Sequence, residues 1–242
     1  MTASELAHEV DVDSATVVRF AQALDYTGFP ELQNEIKVRV LEEFHIRAEE
    51  EARPDSLAAR VDQSLGQLSE AIERARRVLA ADALEILVGQ LSAAPRVLLL
   101  PDAAARSAAR DLRRHLAAVG SLALVLDLEE NALAAALAAA APGDMLLVLD
   151  MSGASPLTAN ALKQAASFKL GTAALVGGAS FEAARQAAVV LETGHADDAE
   201  VGGVVLAALV NALGAGLRWQ KAKLADQIAD KMLTAHKGLA AK

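Results

Sequence analysis

Residue types suited to covalent or metal chemistry are sparse in this chain. There is no cysteine, which removes disulfides, thiolate ligands and cysteine nucleophiles together. Histidines stand at positions 8, 45, 115, 195 and 236, none spaced with another histidine or an acid as metal ligands are. His195-Ala-Asp-Asp198 comes nearest to such a cluster and reads as a solvated loop. No serine nucleophile elbow, Walker loop or dinucleotide fingerprint is found. No catalytic residue, metal or cofactor is therefore expected. One short segment does have a telling spacing, Ser14-Ala-Thr-Val-Val-Arg19. Ser14 is placed to cap a helix over Ala15–Leu24. A preceding helix is expected from the capping-box pattern Thr2-Ala-Ser-Glu5 with apolar Leu6, Ala7 and Val10, and Asp11-Val-Asp13 supplies the break. Two short helices joined by a tight turn form the layout of a DNA-reading helix-turn-helix. On the second helix Val17, Phe20, Ala21 and Leu24 can pack inward, while Thr16, Arg19, Gln22 and Ala23 stay outward or at the edge. Residues at its start would then face base edges, and Arg19 could grip a phosphate or a guanine. An ordinary pair of capped helices fits the same spacing.

The rest of the chain must carry a second, larger unit. The stretch Glu42–Arg53 is dense in charge and ends at Pro54, as a solvated helix end and linker would. From Ser56 to Leu91 apolar residues recur at helical spacing, giving two or more amphipathic helices. Apolar runs of strand length follow at Val97–Leu100, Leu122–Leu126, Met145–Leu149, Ala173–Val176 and Ala188–Leu191. Helical segments separate them, at Ala103–Val119, Asn131–Ala141, Pro156–Leu170 and Ser180–Gln186. Strand and helix in alternation imply parallel strands with right-handed crossovers. Continuously apolar strands imply burial on both faces. The fold class is therefore α/β, an all-α headpiece followed by a doubly wound parallel sheet of about five strands, with functional loops at the strand C-terminal ends. A helix at Val201–Gln220 closes the domain. Its uncharged run, Val201–Leu217, falls short of the ~20 apolar residues a membrane span needs and reads as a buried helix. Aromatics make up 3% of a chain that is 53% hydrophobic, so the core must be built from Ala, Leu and Val.

The N-terminal residues carry a resemblance. Leu6-Ala7, then Ser14-Ala-Thr-Val-Val-Arg-Phe20, then Leu24-Asp-Tyr-Thr-Gly-Phe-Pro-Glu-Leu32, resemble the DNA-binding domain of RpiR-type bacterial regulators. The resemblance implies that Ser14, Thr16, Val17 and Arg19 lie at or near DNA, and that Phe20, Leu24, Phe29 and Leu32 build the small core. It also implies further helical sequence ahead of Met1, so the headpiece is expected to be partial. Its charge departs from the pattern. Residues 1–36 hold one basic residue, Arg19, against seven acids, a formal net of −6 within a chain of −9. Such a charge repels phosphate unless something compensates.

RpiR-type regulators pair this headpiece with a SIS (sugar isomerase) domain, and residues from about 60 to 220 resemble one. The domains expected are 1–53 for the headpiece, 54–92 for a helical linker and the first SIS helices, 93–220 for the SIS-type domain, and 221–242 for a helical tail. In that family, Ser/Thr-rich loops at two strand ends hold the phosphate of a sugar phosphate, as hydroxyls and free N–H groups can. The second loop here, Asp150-Met-Ser-Gly-Ala-Ser155, keeps Ser152, Gly153 and Ser155 as implied ligand contacts. Ser155 also suits capping of a helix that begins at Pro156. Asp150 stands where the family has a serine, and a carboxylate there opposes phosphate. The first loop, Pro101-Asp-Ala-Ala-Ala105, lacks the family's glycines and serine, leaving Arg106 and Ser107 as substitutes. Gly177-Gly178 stand where a hydroxyl residue is typical. An altered pocket, with Ser152 and Ser155 as turn and cap residues only, fits these departures better than a working one.

The expectation is thus a cytoplasmic, non-enzymatic regulator without a membrane segment. Its partners would be operator DNA, a sugar-phosphate or related anionic effector, and further copies of itself in a homodimer or homotetramer. Two alternatives stay open: a SIS-type sugar-phosphate isomerase or binding protein, and a degenerate dimeric scaffold that has lost DNA binding.

Overall fold

The structure is a computed structural model that describes residues 3, 6–7, 12–24, 26–36, 56–195 and 198–240. The Thr2–Glu5 capping box, Val10, Asp11 and the charged stretch 42–53 lie outside the described residues. The chain divides into two compact units, Met1–Asp62 and Gln63–Lys242.

In the first unit, helix α1 runs Ser14–Ala23, and residues 29–36 are helical. Ala7, Val17 and Phe29 form a small buried cluster with Ala3 and Leu6 packed against it. Ala21 and Leu32 are buried as well.

The helix α2 (Leu57–Val78) and α3 (Ala81–Ala93) precede the sheet. Then come β1 (Arg96–Pro101), α4 (Arg106–Ala118), β2 (Leu122–Val125), α5 (Glu130–Ala138), β3 (Met145–Asp150), α6 (Pro156–Ser167), β4 (Gly171–Val176), α7 (Glu182–Gln186) and β5 (Val189–Glu192). Two helices finish the chain, α8 (Ala199–Gln220) and α9 (Ala222–Ala240). The five strands are all parallel, in the order β2-β1-β3-β4-β5. The expected doubly wound α/β architecture is what the chain forms.

Strand periodicity divides the core cleanly. Val97, Leu99, Met145, Leu147, Leu149, Ala173 and Leu175 face α3, α4 and α8, whose Leu87, Leu112, Leu116, Leu206 and Leu213 complete that layer. The intervening residues Leu98, Leu100, Leu146, Val148, Ala174 and Val176 face the other way, onto Leu133, Leu137, Leu162 and Ala165. The edge strand β2 departs from burial on both faces: Leu122 is 58% exposed and Leu124 is 42% exposed. With little aromatic volume available, close approach fills the layers. A Cβ on Gly214 of α8 would lie 2.5 Å from the His115 ring of α4, so the glycine lets these helices meet.

Helix α8, at 22 residues, is longer than its uncharged run and is long and apolar enough to cross a membrane, by length and composition. Its Val205, Leu206, Leu209, Val210, Leu213 and Leu217 are buried, five of them in the layer over the sheet and Val205 beside Ala71 and Ala75 of α2. That is the placement of a core helix.

Candidate effector crevice and DNA-reading helix

The headpiece helix starts differently from the sequence expectation. Asp13, not Ser14, is the N-cap, with extended backbone (φ −78, ψ 152). Its Oδ1 accepts from the Thr16 amide at 2.8 Å and its Oδ2 from the Thr16 hydroxyl at 2.7 Å. A carboxylate at this end also meets the positive end of the helix dipole, which a serine does not exploit. The two Thr16 hydrogen bonds hold the Asp13 carboxyl below its ordinary value. Ser14, Thr16 and Arg19 are exposed, and the Arg19 Nε donates to the Ala15 carbonyl at 3.4 Å. Val17 does not reach the surface: it is 5% exposed and sits in the core. Phe20 and Leu24 fail the opposite expectation, being 60% and 49% exposed. A ten-residue helix against so small a partner covers only the Val17–Ala21 stripe, and Leu24 is already the C-cap, where the chain turns. After the turn, Thr27 donates through both its amide and its hydroxyl to the Glu31 carboxylate.

In the α/β unit, chain order decides where a site can form. The connection after β1 leads to β2 on one side, and the connection after β3 leads to β4 on the other. Their C-terminal ends therefore flank the switch point where doubly wound sheets open a ligand crevice. The parallel register sets Pro101 beside Leu149, so the residues after β1 and β3 meet there.

They meet through carboxylates. Asp102, 5% exposed, accepts from the Ala105 amide through Oδ1 at 2.8 Å. Its Oδ2 accepts from the amides of Met151 at 2.9 Å and Ser152 at 3.0 Å, across to the other loop. Asp150, 1% exposed, accepts from the Gly153 amide and from the Thr158 hydroxyl, each at 2.8 Å. Glu192, at the end of β5, accepts from the Ala179 amide at 2.9 Å, beyond β4.

Ser152, Gly153 and Ser155 share the loop between β3 and α6. Ser152 Oγ accepts from the Ala154 amide at 3.3 Å, and Ser155 caps α6 by accepting from the Leu157 amide at 3.3 Å, with Pro156 in the first turn. Gly153 has φ +62, and a Cβ there would lie 2.9 Å from the Phe181 ring. Arg106 and Ser107 are exposed on the first turn of α4. Arg106 is committed to Asp127, at 3.0 Å. The hydroxyl expected after β4 has a steric reason to be missing: a Cβ on Gly177 would lie 2.7 Å from the Met151 carbonyl oxygen. Over these loops α8 approaches through glycines, with Gly202 against His195 and Gly203 against the Ala104 carbonyl. Ala196 and Asp197 of the histidine-containing loop lie outside the described residues. Asp198 caps α8 by accepting from the Glu200 and Val201 amides. Among the described residues, no group of three or more histidine, aspartate or glutamate side chains is placed to hold a metal ion.

The carboxylate of Asp102 is the member that sequence reasoning overlooked. Its i to i+3 bond to Ala105 was readable as a turn signal, whereas its bonds to Met151 and Ser152 depend on strand order.

Comparison with known proteins agrees with this architecture. Residues 1–43 match the helix-turn-helix domain of the rpiR family. No curated protein matches the chain. Among solved structures, the sugar isomerase domain of an RpiR transcription factor from Sphaerobacter thermophilus is similar at a TM-score of 0.64 and 23% identity, over 70% of this chain and 96% of that one. The Vibrio vulnificus NanR protein complexed with ManNAc-6P is similar at a TM-score of 0.68 and 16% identity, over 100% of this chain and 88% of that one. A phosphoheptose isomerase from Francisella tularensis shares the fold at a TM-score of 0.56 and 15% identity, over 68% of this chain and 99% of that one. Residues 1–43 are thus similar to the helix-turn-helix domain of the rpiR family, and the α/β unit shares the fold of the sugar isomerase domain of that RpiR transcription factor.

Proposed function

We propose that this chain is a cytoplasmic, DNA-binding transcription regulator whose α/β domain dimerises and senses a sugar derivative. The observation that carries the reading is the rpiR-family helix-turn-helix at residues 1–43. Ser14, Thr16 and Arg19 on the exposed face of α1 are the proposed DNA contacts; Val17 supports them from the core. Sugar-derived effectors are suggested by the ManNAc-6P bound to the similar NanR protein. In this chain the proposed ligand contacts are the hydroxyls of Ser152, Ser155 and Ser107 and the guanidinium of Arg106, with Gly153 shaping the loop. A ligand held between the loops of β1 and β3 would favour one arrangement of the dimer, and so one spacing of the two headpieces.

The test is fluorescence anisotropy of this protein on DNA from its own upstream region, against scrambled DNA, across a salt series. Specific binding that weakens as salt rises is expected, because phosphate contacts release counterions. Arg19→Ala should lower specific affinity by at least roughly tenfold, within the range of a lost base or phosphate contact, with an unchanged melting curve. Undiminished binding by that variant would remove Arg19 from the interface. The fold shared with a phosphoheptose isomerase favours a second reading, a sugar-phosphate isomerase. Turnover of any aldose or ketose phosphate would establish it.

A further inference from the structure

We infer that Asp102 is a built-in anion, occupying the donors with which the crevice would otherwise hold a phosphate and excluding phosphomonoesters from the effectors of this chain. The inference deepens the effector reading above and rests on the same crevice.

Loop amides that point into a switch-point crevice are an anion-binding device, since each presents a fixed partial positive charge. Here the amides of Ala105, Met151 and Ser152 converge on one carboxylate at 2.8, 2.9 and 3.0 Å. That is the donor geometry a bound oxyanion would receive, already satisfied by the protein. The Gly153 amide donates to Asp150 and the Ala179 amide to Glu192, so the next two loops have spent these donors in the same way. A phosphate entering between β1 and β3 would have to displace Asp102. The displaced carboxylate, 5% exposed in place, would lose all three partners next to a dianion. The nearby Asp150, 1% exposed, adds like charge in a site shielded from water. The cation at the start of α4, Arg106, is already paired with Asp127. Hydroxyl groups meet no such conflict. They can donate to carboxylate oxygens and exchange hydrogen bonds with the Ser152 and Ser155 hydroxyls, so an uncharged, hydroxyl-rich sugar remains compatible.

The experiment titrates the isotopically labelled full chain with inorganic phosphate and with glucose 6-phosphate at fixed ionic strength. The readouts are the Ala105, Met151 and Ser152 amide resonances, with calorimetry in parallel. The wild-type protein should show no saturable response up to about 20 mM of either probe, a limit set by the weakest affinity the method resolves. Asp102→Ser and Asp102→Gly free the three amides and should gain saturable binding at least roughly tenfold tighter than that limit, as charge-assisted hydrogen bonds become available. Saturable wild-type binding that shifts the Ser152 amide would overturn the inference. So would a folded Asp102→Gly protein that gains nothing. If neither variant folds, the wild-type titration decides alone. Failure to bind DNA in the anisotropy experiment would end the regulator reading without touching this one.

Discussion

Buried aspartates stand at both ends of the β1–β3 pair, and the two ends compensate them in opposite ways. At the N-terminal end, Asp144 accepts from Arg96 Nε at 3.1 Å and from the Ala141 amide at 2.7 Å, while Arg96 also donates to the Ala139 carbonyl at 2.8 Å. At the C-terminal end, Asp102 and Asp150 are held by backbone amides and one threonine hydroxyl, with no cation among these partners. Both arrangements tie the strands together. Only the second places negative charge where parallel sheets bind ligands. A carboxylate paired with arginine has its counter-ion within the protein, whereas one held only by amides and a hydroxyl has none among its partners and sets what else can approach.

The largest effect is expected at the ion pair. Asp144→Ala leaves a partly buried guanidinium without its counter-charge and should cost about 3 kcal/mol of unfolding free energy in a urea titration. Little change there would mean that Arg96 finds solvent easily and that the two ends differ less than their geometry implies. At the other end, Thr158→Val removes the hydroxyl that donates to the buried Asp150 and should cost about 2 kcal/mol, since the acceptor is left unsatisfied. A neutral result would show that Asp150 needs only the Gly153 amide. A smaller effect is expected for Gly153→Ala, at about 1 kcal/mol, because L-residues are disfavoured at its φ of +62. Phe181 must also shift to admit the new Cβ. Loss of the Gly153–Asp150 bond, read as faster amide exchange at residue 153, should accompany it.

The smallest effect belongs to a fourth aspartate, the exposed Asp13. Thr16 holds the Asp13 carboxyl below its ordinary 3.8. Its contribution to the headpiece is therefore complete above that value and is lost as pH falls through the lower value of the folded state. The Thr16 amide shift should titrate with a midpoint under 3.8. A midpoint at or above it would show that the cap does not form.

Much of the α/β unit was legible because a parallel sheet writes its strands as uninterrupted apolar runs. Val97–Leu100 and Met145–Leu149 could be little else, and the observed strands extend each run by only one or two residues. Helix starts were less legible. The stretch expected to be helical from Ala103 begins at Arg106, because Asp102 first turns the loop onto its own carboxylate. In the headpiece, spacing marked Phe20 and Leu24 as apolar and on the inner stripe. Whether an apolar residue is buried depends on what covers it, and no local pattern contains that information.

The layers follow from local sequence: strand periodicity of two, helical spacing between strands, and cap residues such as Ser155 before Pro156. Those are local properties, set by backbone geometry and by the neighbours along the chain. The sequence also displayed the acidic loop residues and the lost glycines of the first loop. What the acids do depends on contacts that exist only in the assembled sheet. Asp102 and Ser152 stand 50 positions apart, and they meet because β1 and β3 are adjacent in the sheet while β2 lies outside them. Strand order is a global outcome of how the crossovers pack, so the anion at the crevice became visible only once the sheet was assembled.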